Sequence, residues 1–101
     1  MIKVEKMQIG KAVVILPEKV NIANSPDLKN KLQLLFDEGI NEIVINFSQT
    51  KMIDSSCLGK LLMFQKKLKE RQGELIIEDV TSDYINKLFN MIQLQKVIKI
   101  N

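Results

Sequence analysis

The stretch Lys51-Met52-Ile53-Asp54-Ser55-Ser56-Cys57-Leu58-Gly59-Lys60-Leu61-Leu62 joins two different textures. Before it lies Glu42-Ile43-Val44-Ile45-Asn46-Phe47, built on a short continuous apolar run. After it, Leu61, Phe64 and Leu68 recur at helical spacing among lysines. The junction therefore reads as a strand feeding a helix through a polar loop. An acid, two hydroxyls and a thiol stand at that turn. Either they only start a helix, or one of them is a site of chemistry.

The same alternation of textures extends outward. Ile2, Val4, Met7 and Ile9 alternate with Lys3, Glu5 and Gln8, the pattern of a half-buried strand. Gly10-Lys11 suits a hairpin turn into a second strand, residues 12–16, and Pro17 interrupts that run before a loop over 18–24. Ser25-Pro26-Asp27 predicts a helix start: a capping hydroxyl, a proline in the first turn, and an acid near the positive end of the dipole. Leu28, Leu32, Leu35 and Phe36 form its apolar stripe, and Gly39 is a natural stop. The run Ile43-Val44-Ile45 suits a central strand covered on both faces.

The junction helix is predicted over about 57–71, with Gly73 ending it. Glu74–Glu78 reads as another strand. Thr81 or Ser82 caps a third helix with the stripe Ile85, Leu88, Phe89 and Ile92, and Val97, Ile98 and Ile100 close the chain as a strand. The order β-β-α-β-α-β-α-β predicts an α/β domain with a mixed, mostly parallel sheet and an antiparallel edge from the N-terminal hairpin.

The chain has 101 residues, which fits one domain spanning 1–101. Its 15 basic and 12 acidic residues are interspersed, without the stripe of a nucleic-acid binder. Only five residues are aromatic, which argues against a base-stacking platform. A single cysteine, Cys57, permits no internal disulfide and fits a reducing, cytoplasmic setting. The N-terminus lacks the pattern of a signal peptide, and no apolar run approaches a membrane span. Histidine is absent, so Ser-His-Asp and Cys-His triads and His-based metal sites are excluded. No metal or cofactor is expected.

Asp54, Ser55 and Ser56 fall where a strand ends and a helix begins, the position at which open α/β sheets bind ligands. Free amides and the helix dipole there favour an anion, including a phosphate attached to a serine. Ser55 and Ser56 also suit plain helix capping. Asp54 suits a structural role, accepting hydrogen bonds from loop amides. Cys57, near the helix start, admits a redox reading. A wheel at 100° per residue nevertheless places it with Leu58, Leu61, Phe64 and Leu68 on the buried side. The same wheel puts Met63 opposite, near Ser56, Lys60 and Lys67, an exposed position for an adaptable side chain.

Met52-Ile53-Asp54-Ser55-Ser56-Cys57-Leu58-Gly59 resembles the signature of STAS domains of bacterial anti-sigma factor antagonists, Phe/Met-Ile/Met-Asp-Ser-Ser-Gly-Leu-Gly after an apolar strand. The segment Lys87-Leu88-Phe89-Asn90-Met91-Ile92-Gln93-Leu94 resembles the Leu-Phe…Gly-Leu ending of that family's third helix. The resemblance covers nearly the whole chain. It implies that Ser55 accepts a phosphoryl group from an ATP-dependent anti-sigma factor kinase. The unphosphorylated form would bind that kinase and free a sigma factor, and a phosphatase would reset the switch.

A partner surface including Asn21, Asp54, Ser56, Gly59, Lys60 and Met63 follows as the expectation. Four positions depart from the pattern. Cys57 stands for a glycine, Glu18-Lys19-Val20-Asn21 for Gly-Glu-Leu-Asp, Asn46 for an aspartate, and Gln93 for the glycine after the third helix. Two other readings stay open. One is an interaction module of a stress-signalling or lipid/anion-transport assembly. The other is an enzyme using Ser55 or Cys57, against which the missing histidine and Gly-x-Ser-x-Gly elbow argue.

Overall fold

A computed structural model describes all residues, 1–101. Strands β1 (Lys3–Gln8) and β2 (Lys11–Ile15) form the expected hairpin, with Gly10 at φ 80°, a left-handed position open to glycine at no steric cost. A two-residue strand, β3 (Lys19–Val20), precedes helix α1 (Ser25–Asp37). Strand β4 (Glu42–Asn46) leads to a second two-residue strand, β5 (Met52–Ile53), and then to α2 (Ser55–Lys69). Strand β6 (Glu74–Glu78), α3 (Asp83–Met91), a 3-10 turn at Leu94–Lys96 and β7 (Lys99–Ile100) complete the chain. No helix is long and apolar enough to cross a membrane.

The main sheet has the order β1-β2-β4-β6-β7. Only the β1–β2 pair is antiparallel; the other pairs are parallel. The mixed α/β architecture is therefore the predicted one, with β4 at the centre. Two strands were not foreseen. β3 and β5 pair with each other, in parallel, as a separate two-stranded ladder. A two-residue strand carries no periodicity, so a sequence pattern cannot mark it.

One apolar core unites the inward faces of β2, β4 and β6 with all three helices. It takes Val14, Ile43, Ile45 and Ile77 from the sheet, Leu28 and Leu32 from α1, Leu61 and Phe64 from α2, and Ile85 and Phe89 from α3. Val44 and Ile76 lie outside that cluster. The expectation that β4 is covered on both faces holds, since Val44 is buried along with Ile43 and Ile45. Val44 is 2% exposed because Val13 and Ile76 flank it in register, with the row Lys11, Glu42 and Glu74 beside them. Lys11 and Glu42 form an ion pair at 3.1 Å in that row. Side chains of neighbouring strands, not a helix, shield the second face.

Three expectations are corrected. α1 is preceded by Asn24, not capped by Ser25, whose residue is buried inside the first turn. The Asn24 side chain turns back instead, accepting the Asn21 amide at 2.8 Å and donating to the Lys19 carbonyl at 2.8 Å. α2 begins at Ser55 and ends at Lys69 rather than spanning 57–71; Gln72 takes the left-handed turn, and Gly73 lies beside the Asn41 carbonyl. At the C-terminus, Ile92 and Val97 are exposed: α3 stops at Met91, Val97 caps a 3-10 turn over Leu94–Lys96, and the strand starts only at Lys99. Ser82 caps α3 as expected, accepting the Ile85 amide at 3.2 Å.

Candidate functional site

The site is assembled on the small ladder. Lys19 lies opposite Met52 and Val20 opposite Ile53. Opposed residues share a face, so Lys19 and Met52 point outward together while buried Val20 and Ile53 point to the core. The same register carries Asn21 and Asp54 to neighbouring positions at the ladder's end. The Asp54 amide donates to the Val20 carbonyl at 3.2 Å, and the Lys51 amide to the Glu18 carbonyl at 2.8 Å. Asn21 shapes the following loop: its side-chain oxygen accepts the Ala23 amide at 2.9 Å, an Asx turn.

Asp54 is the N-cap of α2. Its Oδ1 accepts the Ser56 amide at 3.0 Å, the Cys57 amide at 3.3 Å and the Ser56 hydroxyl. The Ser56 hydroxyl bond is the largest influence holding its carboxyl below the ordinary value of 3.8, and the amides of Cys57, Ser56 and Ile22 add to it against a desolvation that acts the other way. The capping role expected of the serines thus belongs to the acid, while the structural reading of Asp54 holds. A carboxylate is a strong cap because a full negative charge meets the dipole's positive end.

This corrects the picture of amides waiting for a phosphate. Two of the early α2 amides already hold an anion, the chain's own Asp54. Ser55 is exposed at the first helical position, and its hydroxyl takes part in none of the hydrogen bonds that engage Asp54 and Ser56. A phosphate on Ser55 would meet a filled cap and project outward.

Cys57 is fully buried among α2's core residues, as the wheel predicts. Burial, with the Asp54 charge adding to it, pushes its thiol up to about 12. Thiolate chemistry is closed to it at neutral pH. Along the outer face of α2, Gly59 and Met63 are exposed and Ser56 and Lys60 half-buried, on the side where they were expected.

A Cβ built on Gly59 meets nothing within 4 Å. Its φ is not left-handed, so neither packing nor backbone requires glycine there. Two exposed residues of this surface escaped sequence reasoning: Ile22, 78% exposed, and Met52, 53% exposed. The signal for Met52 was the unseen ladder that turns it outward.

Asn46 is a member of a different arrangement. It donates to Asp79 at 3.1 Å and accepts both the amide and the hydroxyl of Ser48. An aspartate there would set a second carboxylate against Asp79. Gln93 takes φ 57°, a left-handed conformation at the position where the resembling sequences place glycine.

The STAS domain profile matches residues 3–101. The chain belongs to the STAS domain family. Over 68 residues this STAS domain is 31% identical to BtrV of Bordetella bronchiseptica, a protein named as a candidate anti-sigma factor antagonist. The match takes in 67% of the chain but only 59% of that relative's length.

Among solved structures, the STAS fold here resembles unphosphorylated SpoIIAA, an anti-sigma factor antagonist, with TM-score 0.81 and 20% identity over 100% of this chain and 87% of that one. A Thermotoga maritima protein, described as a candidate antagonist of the same kind, gives TM-score 0.86 and 20% identity over 98% and 84%. A sulfate transporter family protein from Wolinella succinogenes gives TM-score 0.77 and 16% identity over 95% and 80%. At these identities the structural likenesses establish the fold.

Proposed function

We propose that this STAS domain is an anti-sigma factor antagonist switched at Ser55. The unphosphorylated form binds an anti-sigma factor that is also a serine kinase, and a sigma factor is released. The kinase then transfers the γ-phosphoryl group of ATP to Ser55 Oγ; ADP leaves and the hydroxyl proton passes to a base. The modified form lets go, and a phosphatase restores the serine.

The observation carrying this reading is the state of Ser55 beside its neighbours. Asp54 and Ser56 are tied into the cap and Cys57 is buried, yet Ser55 offers an exposed, unengaged hydroxyl. Because Asp54 already takes the Ser56 and Cys57 amides, a phosphate adding about two negative charges lies outside the cap and faces whatever docks there. The penalty needed is small, since each 1.4 kcal/mol costs about tenfold in affinity.

Gly59 supports a partner surface on the same side. An exposed mid-helix glycine costs about 1 kcal/mol against alanine. This one has no compensating contact within the chain, whereas a flat spot beside Ser55 and Met63 allows a partner's backbone to approach closely.

The test is incubation with ATP and each anti-sigma factor kinase encoded in the same genome, with the phosphate located by mass spectrometry. Modification at Ser55, and lost kinase binding by Ser55→Asp, are the expected results. Tight binding by Ser55→Asp to the same kinase would sink the switch and favour a constitutive interaction module.

A further inference from the structure

We propose that the partner surface docking on the Ser55 face combines apolar and acidic side chains. The inference rests on reading that face as the partner-binding surface and specifies the chemistry of what binds.

Three exposed apolar side chains come from the three segments that frame the site: Ile22 after β3, Met52 in β5 and Met63 on α2. Apolar side chains exposed together around a functional residue mark an interaction site more than scattered ones do. Among them stand three lysines. Lys19 lies opposite Met52 on the outward face of the ladder, Lys51 adjoins Met52 in sequence, and Lys60 lies one turn beyond Ser56. The Lys60 charge is felt at Cys57, which places its ammonium near the start of α2.

None of the three lysines has an ion-pair partner; the chain's four ion pairs use Lys6, Lys11, Lys31 and Lys69. Two acids lie in the same segments. Asp54 spends its charge on the helix cap, and Glu18 alone is exposed. The face therefore carries lysines among exposed apolar side chains, and the complement of that pattern is acidic groups among apolar ones.

The sequence departures point the same way. Where the resembling sequences read Gly-Glu-Leu-Asp, this chain reads Glu18-Lys19-Val20-Asn21: Glu18 adds an acid, but Lys19 turns an acid into a base and Asn21 neutralises another, so the stretch is more positive overall. A partner matched to this chain must carry the opposite change. The switch then acquires a direct electrostatic cause. Phosphate on Ser55 brings negative charge against an acidic partner surface, so repulsion joins steric bulk in ending the complex.

The experiment measures association kinetics with the kinase that phosphorylates Ser55. The triple variant Lys19→Glu, Lys51→Glu, Lys60→Glu is expected to associate about tenfold more slowly, and added salt is expected to speed its association while slowing that of the parent protein. A control triple variant, Lys3→Glu, Lys96→Glu, Lys99→Glu, changes net charge equally on other parts of the surface and is expected to keep the parent rate. The single variants Lys19→Glu and Lys60→Glu supply graded steps if the site triple does not fold by circular dichroism.

Site variants that associate at the parent rate, while Ser55→Asp still abolishes binding, overturn the acidic partner surface and leave the switch standing. Equal slowing in the control triple also overturns it. Ser55→Asp that binds like the parent overturns the switch and this inference together.

Discussion

The Asp54 carboxylate holds the Ser56 amide at 3.0 Å and the Ser56 hydroxyl on the same oxygen. That one pairing starts α2, fills the anion site at its N-terminus, and leaves Ser55 as the only unengaged polar side chain of the Asp-Ser-Ser core.

Removing the cap should weaken the fold in a pH-dependent way. The folded-state pKa of Asp54 lies below the ordinary 3.8, so its contribution is present above that value and is lost as pH falls through the folded pKa. Urea unfolding followed between about pH 2 and 6 should show Asp54→Asn less stable than the parent at the upper end. The gap should close toward the lower end. A gap that is constant with pH would mean that the charge is not the stabilising element.

Gly59→Ala should separate stability from binding. It removes about 1 kcal/mol of unfavourable helix propensity and meets open space, so the melting temperature should rise. Kinase affinity should fall if the flat spot receives a partner. A melting temperature that drops would contradict the open environment of Gly59.

Gly73→Ala should do the reverse. Its Cβ would clash with the Asn41 carbonyl oxygen, a main-chain atom held by the Glu74 amide at 2.8 Å. Relief requires moving the β4 and β6 entries apart, an overpacking cost of about 1–3 kcal/mol measurable by chemical denaturation.

Native Cys57 should resist alkylation at neutral pH. Its thiol titrates at about 12, against an ordinary value of 9.0. Because the raised value belongs to the folded state, its stabilising effect holds below 9.0 and is lost as pH rises toward 12. Iodoacetamide labelling at neutral pH should therefore track unfolding in added urea. Rapid labelling without denaturant would place the thiol at the surface.

Gln65 should prove a structural linchpin between α2 and the strands. It is 4% exposed, accepts the Leu75 amide at 2.8 Å and donates to the Val97 carbonyl at 2.9 Å. Gln65→Leu would leave both backbone groups unpaired, costing about 1–3 kcal/mol, whereas Gln65→Glu would preserve the bond from Leu75. Denaturation of the two variants distinguishes a lost network from a lost donor alone.

The order of long elements was legible because each carries its own periodicity: Leu28, Leu32 and Leu35 for α1, and Leu61, Phe64 and Leu68 for α2, all buried. The inward turn of Cys57 and the outward turn of Met63 followed from the same wheel. What escaped depends on contacts distant in sequence. Ile43-Val44-Ile45 reads the same whether helices or neighbouring side chains cover it, so the absence of a helix on the second face left no mark. Whether Asp54 or a serine caps α2 depends on which oxygen reaches the amides, and a polar triplet does not encode that. The β3–β5 ladder joins residues more than thirty positions apart through two residues each, and Met52 faces outward only because of it.

The ladder is a sheet of its own, hydrogen-bonded to neither edge of the main one. Lys19, Asn21, Met52 and Asp54 thus ride on one small frame tied to the helix start. Its buried residues, Val20 and Ile53, anchor that frame in the common core. The charge pattern a partner reads and the start of the helix that bears Ser55 are thus carried on one support, so a substitution in the ladder bears on both.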